Sequence, residues 1–180
     1  MQPVYAIGAQ DVPSATMPAM LTDHQIRRVW EHMLAAETRA LYFGDLGATY
    51  TRRKQIISGL SFVGASGAAA TVVSHAPAWV PMMLSLLTAV LSAYTIAVNL
   101  DGKIATMAKL FASWHTLARQ YDELWNRVQA DDAEVVFTKL VEREREPSEL
   151  AVSAAPHDPP RLKKWQDHVF AMYHLTTPAA

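Results

Sequence analysis

The chain has 180 residues, 51% of them apolar and 18% charged, with a mean hydropathy of +0.03 and a formal net charge of −1. Without cysteine it has no disulfide framework, thiol nucleophile or thiolate metal site, and its pI of about 6.6 lacks the electrostatic footprint of a nucleic-acid-binding domain. These means hide a partition, because all 16 Lys and Arg and all 17 Asp and Glu fall outside the run from Gln55 to Leu100, leaving the rest of the chain about 25% charged, like a water-facing surface.

Met1 to Leu21 reads as a flexible tail and not as a secretory signal, since no Lys or Arg precedes Arg27 and Pro3, Pro13 and Pro18 interrupt it. Thr22-Asp23-His24-Gln25 is a capping-box pattern that predicts a cytoplasmic helix over 22–54. Ile26, Val29, Met33, Ala36, Ala40 and Phe43 give that helix an apolar face, while Gly44 and Gly47 weaken it.

Within Gln55 to Leu100 the only strong punctuation is Ser74-His75-Ala76-Pro77-Ala78-Trp79-Val80-Pro81. It divides the run into predicted membrane helices over 55–74 and 81–100, joined by an external turn over 75–80. Each is long enough to cross ~30 Å of hydrocarbon. Pro81 suits a first helical turn and Trp79 an interfacial belt. Arg52, Arg53 and Lys54 precede the first span, Lys103 and Lys109 follow the second, and the turn is uncharged, so both termini are expected on the cytoplasmic side. The competing reading is a buried hairpin in a soluble protein, but a chain of this size would have few elements left to cover an uncharged run of that length.

The first span is rich in small residues, with Gly64, Gly67, Thr71 and Ser74 repeating at helical spacing, which points to close helix packing. In the second, Ser85, Thr88, Ser92, Thr95 and Asn99 fall within about 80° of arc at 100° per residue. Met83, Leu87, Val90, Leu91, Tyr94 and Val98 occupy the other side, and Ala89, Ala93 and Ala97 form a small-residue ridge beside the stripe. Two readings of the stripe stay open. Its hydroxyls bond their own helix or a neighbouring one, or several copies turn these faces inward around an aqueous pore.

After the second span, cytoplasmic helices are expected over 101–146. Ile104, Met107, Phe111, Trp114, Ala118, Tyr121, Trp125 and Val128 form an aromatic-rich seam suited to packing on the helix of residues 22–54 or to self-association. Pro147 is expected to end the charged helix of Glu142 to Glu146, with a linker over 147–160 and a final helix and tail over 161–180 whose Leu162, Trp165, Val169 and Met172 dock on the bundle. His24, His32, His75, His115, His157, His168 and His174 contain no i,i+4 pair, and no phosphate-binding glycine loop or nucleophile elbow is present. Neither an enzyme nor a metal or cofactor site is expected, and no direct nucleic-acid partner.

Glu37-Thr38-Arg39-Ala40-Leu41-Tyr42, leading through Tyr50-Thr51-Arg52-Arg53-Lys54, and the stretch from Phe111 to Trp125, with Ala118, Tyr121 and Leu124 in an Ala-x-x-Tyr-x-x-Leu-like pattern, resemble the SLATT family over residues 23 to about 140. The resemblance implies an all-α membrane protein: a two-span transmembrane hairpin between N- and C-terminal cytoplasmic amphipathic helices. It further implies a homo-oligomeric, pore-forming effector of bacterial conflict or antiphage systems. Such an effector sits in the inner membrane's lipid bilayer and is released by a sensor protein or a partner that produces a nucleotide signal.

Overall fold

The Thr22 backbone N–H donates to Gln25 Oε1 at 2.8 Å and the Gln25 N–H to Thr22 Oγ1 at 3.3 Å, closing the capping box that starts the first helix. The computed structural model describes residues 21–73, 77 and 79–175. Among these residues every regular element is a helix: α1 (Asp23–Val73), α2 (Trp79–Val98), α3 (Leu100–Trp125), α4 (Ala133–Arg143), α5 (Arg145–Ala154) and α6 (Pro159–Met172). The chain is all-α. The expected tail lies outside the described residues except for Leu21, which is buried in the core.

No break separates the expected cytoplasmic helix from the expected first span. α1 runs unbroken for 51 residues, about 75 Å at 1.5 Å per residue. α2 and α3 run back along it, divided only at Asn99. Trp30 lies against Trp125 with ring centroids 5.0 Å apart, His32 stacks on Tyr121 at 5.6 Å, and Gly47 faces Met107. Farther out, Lys54 pairs with Asp101 and Gly64 faces Thr88. The two residue numbers in each of these pairs sum to 152–155, so one antiparallel register holds along the whole hairpin.

Only the base of this hairpin is wrapped. α4 and α5 pack on α3, and α6 packs on α1. The Trp165 indole N–H donates to Asp45 Oδ2 at 3.3 Å, Arg161 Nε lies 3.5 Å from the same oxygen, and Val169 is buried, so the final helix docks on the bundle through Trp165 and Val169, whereas Leu162 and Met172, expected on the same docking face, are 39% and 48% exposed. Tyr42 of α1 donates its hydroxyl to the Pro156 carbonyl at 2.8 Å, tying down the α5–α6 connection; burial and the nearby Asp158 carboxylate raise its pKa.

Two expectations for the base need correction. The stretch 147–160 is not wholly a linker, because Pro147 lies buried in the first turn of α5 and does not end structure. A first-turn N–H has no helical acceptor, so a missing one costs little. The same holds at α6, where Pro159 and Pro160 open the helix and Asp158 caps it by accepting from the Arg161 N–H at 3.2 Å. The buried row of α3 is Leu100, Met107, Leu110, Trp114, Leu117, Tyr121 and Leu124. Of the expected seam, Met107, Trp114 and Tyr121 belong to it, Ile104, Ala118 and Trp125 are half-buried, and Phe111 is 40% exposed. α3 is covered from two sides, which rotates its buried arc toward Leu110 and Leu117.

Leu110→Ala, at a fully buried site, is expected to cost about 2–5 kcal/mol. Phe111→Ala is expected to cost roughly 1–2 kcal/mol because much of its ring already faces outward. Denaturant unfolding of the full chain in mild detergent, followed by tryptophan fluorescence, measures both.

Candidate functional site

Beyond the wrapped base, the two arms of the hairpin carry apolar side chains with nothing over them. Among the described residues, twelve of the eighteen large hydrophobic side chains that are exposed lie between Ile56 and Ile96, including Phe62 (74%), Met82 (69%) and Ile96 (80%). At ~25 cal/mol per Å² this exposure costs on the order of 10 kcal/mol in water, as much as a whole domain's net stability. Among the described residues one stretch, within the rod Trp79–Trp125, is long and apolar enough to cross a membrane, with mean hydropathy 1.7 over its apolar window and no buried residue there.

The arms touch through a narrow face. On α2 it consists of the half-buried Pro81, Leu84, Thr88, Leu91, Thr95 and Val98. On α1 it includes Gly64, where an added Cβ would stand 2.7 Å from Thr88 Oγ1, and Gly67, where it would stand 3.4 Å from Leu84 Cδ1. At the base, a Cβ on Gly44 would lie 3.2 Å from the Phe111 ring and one on Gly47 3.5 Å from Met107 Cβ. These two glycines, read from the sequence as weak points of the helix, sit where α3 approaches α1. Gly59 faces open space. Of the remaining small-face residues, the Thr71 side chain and all of Ser74 lie outside the described residues.

The expected polar stripe is divided by this packing. Thr88 and Thr95 turn toward α1, and their hydroxyls donate at 2.9 Å to the Leu84 and Leu91 carbonyls one turn earlier. Ser85 and Ser92 are exposed on the flank, while Ala89, Ala93 and Ala97 lie exposed on the side away from α1 and do not pack within the hairpin. Leu91 and Val98 belong to the α1 face, not to the outer side. Two of the five stripe residues are thereby satisfied inside one hairpin.

Asn99 has a different role from the other four. Its φ of 48° and ψ of 52° place it in the left-handed region, where it ends α2, and its side chain caps α3 by accepting from the Gly102 N–H at 3.2 Å. A Cβ at position 102 would lie 2.6–2.9 Å from the Asn99 amide group, so the cap requires that glycine. The junction coincides with the end of the uncharged run and with the Lys54–Asp101 pair. Arg52 and Arg53 project into solvent at the same level.

At the base, burial and the Glu144 carboxylate push the Tyr121 hydroxyl far above its ordinary range, and burial with Glu37 and Asp122 pushes Tyr173 up to about 12. Both stay neutral at physiological pH and serve packing. The Arg39 guanidinium lies 4.5 Å from the Trp114 ring centroid, covering the seam from outside. Among the described residues no group of three His, Asp or Glu side chains is placed to hold a metal ion. Comparison of the chain with protein-family models, with curated proteins and with solved structures returned no match.

Two measurements probe this geometry. Gly59→Ala is expected to raise the thermal midpoint slightly through helix propensity, worth up to ~1 kcal/mol, whereas Gly64→Ala lowers it and a second change, Thr88→Ala, restores it. Asn99→Ala is expected to cost about 1–2 kcal/mol by removing the cap and straining the left-handed turn, with Asn99→Gly costing only a few tenths.

Proposed function

We propose that this chain is an oligomeric membrane effector of the bacterial inner membrane. The arms of its hairpin cross the bilayer as two spans, its base and both termini lie in the cytoplasm, and it permeabilises the membrane when a partner sensor acts on the base. The observation that carries the reading is the concentration of unburied apolar surface on the two arms, which hold twelve of the eighteen exposed large hydrophobic side chains among the described residues and end where Arg52, Arg53, Lys54 and Asp101 begin. Water is a poor solvent for that surface and a bilayer a good one. The uncharged turn at the far end and the basic residues at the near end fit a cytoplasmic base.

In an assembly, Ser85 and Ser92 are the stripe residues free to line or border a path for water and ions, and the exposed ridge of Ala89, Ala93 and Ala97 offers a face for the next copy. The stripe has no ionised ring, so such a path would discriminate weakly among ions. The resemblance of the 37–54 and 111–125 stretches to the SLATT family supports an antiphage or conflict role and a sensor that signals through a nucleotide.

Overexpression raises the oligomer population by mass action and is expected to arrest growth with loss of membrane potential, read by a potential-sensitive dye. Growth arrest at unchanged potential would overturn pore formation. A second reading is a non-conducting anchor that recruits a cytoplasmic partner. It is favoured by Thr88 and Thr95, whose hydroxyls are already satisfied within one hairpin. Replacing the hairpin with an unrelated two-span anchor preserves activity on the anchor reading and abolishes it on the pore reading.

A further inference from the structure

Five basic residues gather where the uncharged arms begin: Arg52, Arg53 and Lys54 on α1, and Lys103 and Lys109 on α3. By sequence they are equivalent, but in the fold they are not. Lys54 is paired with Asp101 across the hairpin, and Lys109 Nζ lies 3.0 Å from Glu146 Oε1 of the base. The Lys103 ammonium lies over the Tyr50 ring, 6.0 Å from its centroid. Arg52 and Arg53 are exposed, and among the described residues neither has a carboxylate within ion-pair distance. The acidic residue preceding them on α1, Asp45, is engaged by Arg161 and by the Trp165 indole. One turn farther out the surface becomes apolar, with Ile56 62% and Leu60 54% exposed.

We propose that Arg52 and Arg53 form a guanidinium seat for the phosphate of an anionic phospholipid in the cytoplasmic leaflet, while Lys54, Lys103 and Lys109 are each engaged by a neighbour, Asp101, Tyr50 and Glu146 respectively. The inference rests on the membrane placement proposed above. A guanidinium presents a planar fork of donors that matches phosphate oxygens two at a time, and its stem lies along apolar surface while the head stays at the interface. A phospholipid satisfies both halves of this surface, with its phosphate on the arginines and its acyl chains along Ile56 and Leu60. Free phosphate satisfies one half only. A zwitterionic headgroup brings its own ammonium to a site that already carries two unneutralised cations, so an anionic headgroup is preferred.

The full chain, purified in mild detergent, is offered phosphatidylglycerol or phosphatidylcholine, and lipid retention is read by native mass spectrometry. Insertion into phosphatidylcholine vesicles is measured separately by flotation after an alkaline wash. The expected result is insertion into neutral vesicles together with preferential retention of phosphatidylglycerol, weakened by salt and falling roughly fivefold for each arginine removed. Arg52→Gln/Arg53→Gln abolishes the preference, Arg52→Lys/Arg53→Lys retains part of it, and Lys54→Gln/Lys103→Gln leaves it in place. Persistence of the preference in the arginine-to-glutamine variant, its full retention in the lysine variant, or its loss in Lys54→Gln/Lys103→Gln overturns the seat. Displacement of the lipid by inorganic phosphate overturns the lipid as its occupant. Failure to insert into neutral vesicles overturns the membrane placement itself, whereas insertion without any preference overturns the seat alone.

Discussion

The antiparallel register between α1 and the α2–α3 rod sets every other relation in this fold. It places Trp30 on Trp125 and His32 on Tyr121 at one end, and Gly64 on Thr88 near the other. Because α1 is unbroken, any tilt or slide imposed at the base is carried along a single stiff element toward the far end of the arms. The close approach needed along the way is met by glycines at 44, 47, 64 and 67, all on the side facing the returning rod. A bulky side chain at any of these positions would push the arms apart and shift the packing of the base with them.

Uniform pairing coexists with two different surroundings. At the base, α4, α5 and α6 complete a core containing Met33, Trp114, Leu117, Tyr121, Phe137 and Val169. Between Leu46 and Leu100, no apolar side chain among the described residues is buried. The change falls within a few residues of Asn99, where the returning rod breaks, the αL residue caps α3, and Lys54 meets Asp101. Charge, backbone conformation and surface polarity therefore all change at the same level of the hairpin.

Much of this was legible in the sequence. The charge-free run, the capping box at Thr22 and the apolar periodicity of α1 are local patterns, and the helices follow them, while of the face read for α6 only Trp165 and Val169 pack on the core. What was not legible depended on which helix lies against which. Leu110 and Leu117 are buried because α4 and α5 cover a second side of α3, which no periodicity within α3 reveals. The five-residue polar stripe is regular in sequence, yet the axis of contact with α1 passes through Thr88 and Thr95 and leaves Ser85 and Ser92 outside. Asn99 continued the stripe's spacing but ends the helix, a role signalled only by Gly102 three residues on, whose bare Cα leaves room for the amide. Pro147 read as the end of a helix and Pro159 as part of a linker because their position in a first turn is set by the end of the preceding segment.

The placement of the arms in a bilayer is the claim on which the functional account stands, and the absence of cysteine allows it to be tested directly. Single cysteines at Phe62, Leu87 and Ile96 on the arms, and at Phe111, Val135 and Val152 on the base, replace side chains that are all exposed in the isolated fold. Reconstituted into vesicles and treated with a membrane-impermeant maleimide, the three base positions facing the reagent should react fully. The three arm positions should react only after detergent is added. Equal labelling of arm and base in intact vesicles would contradict the account.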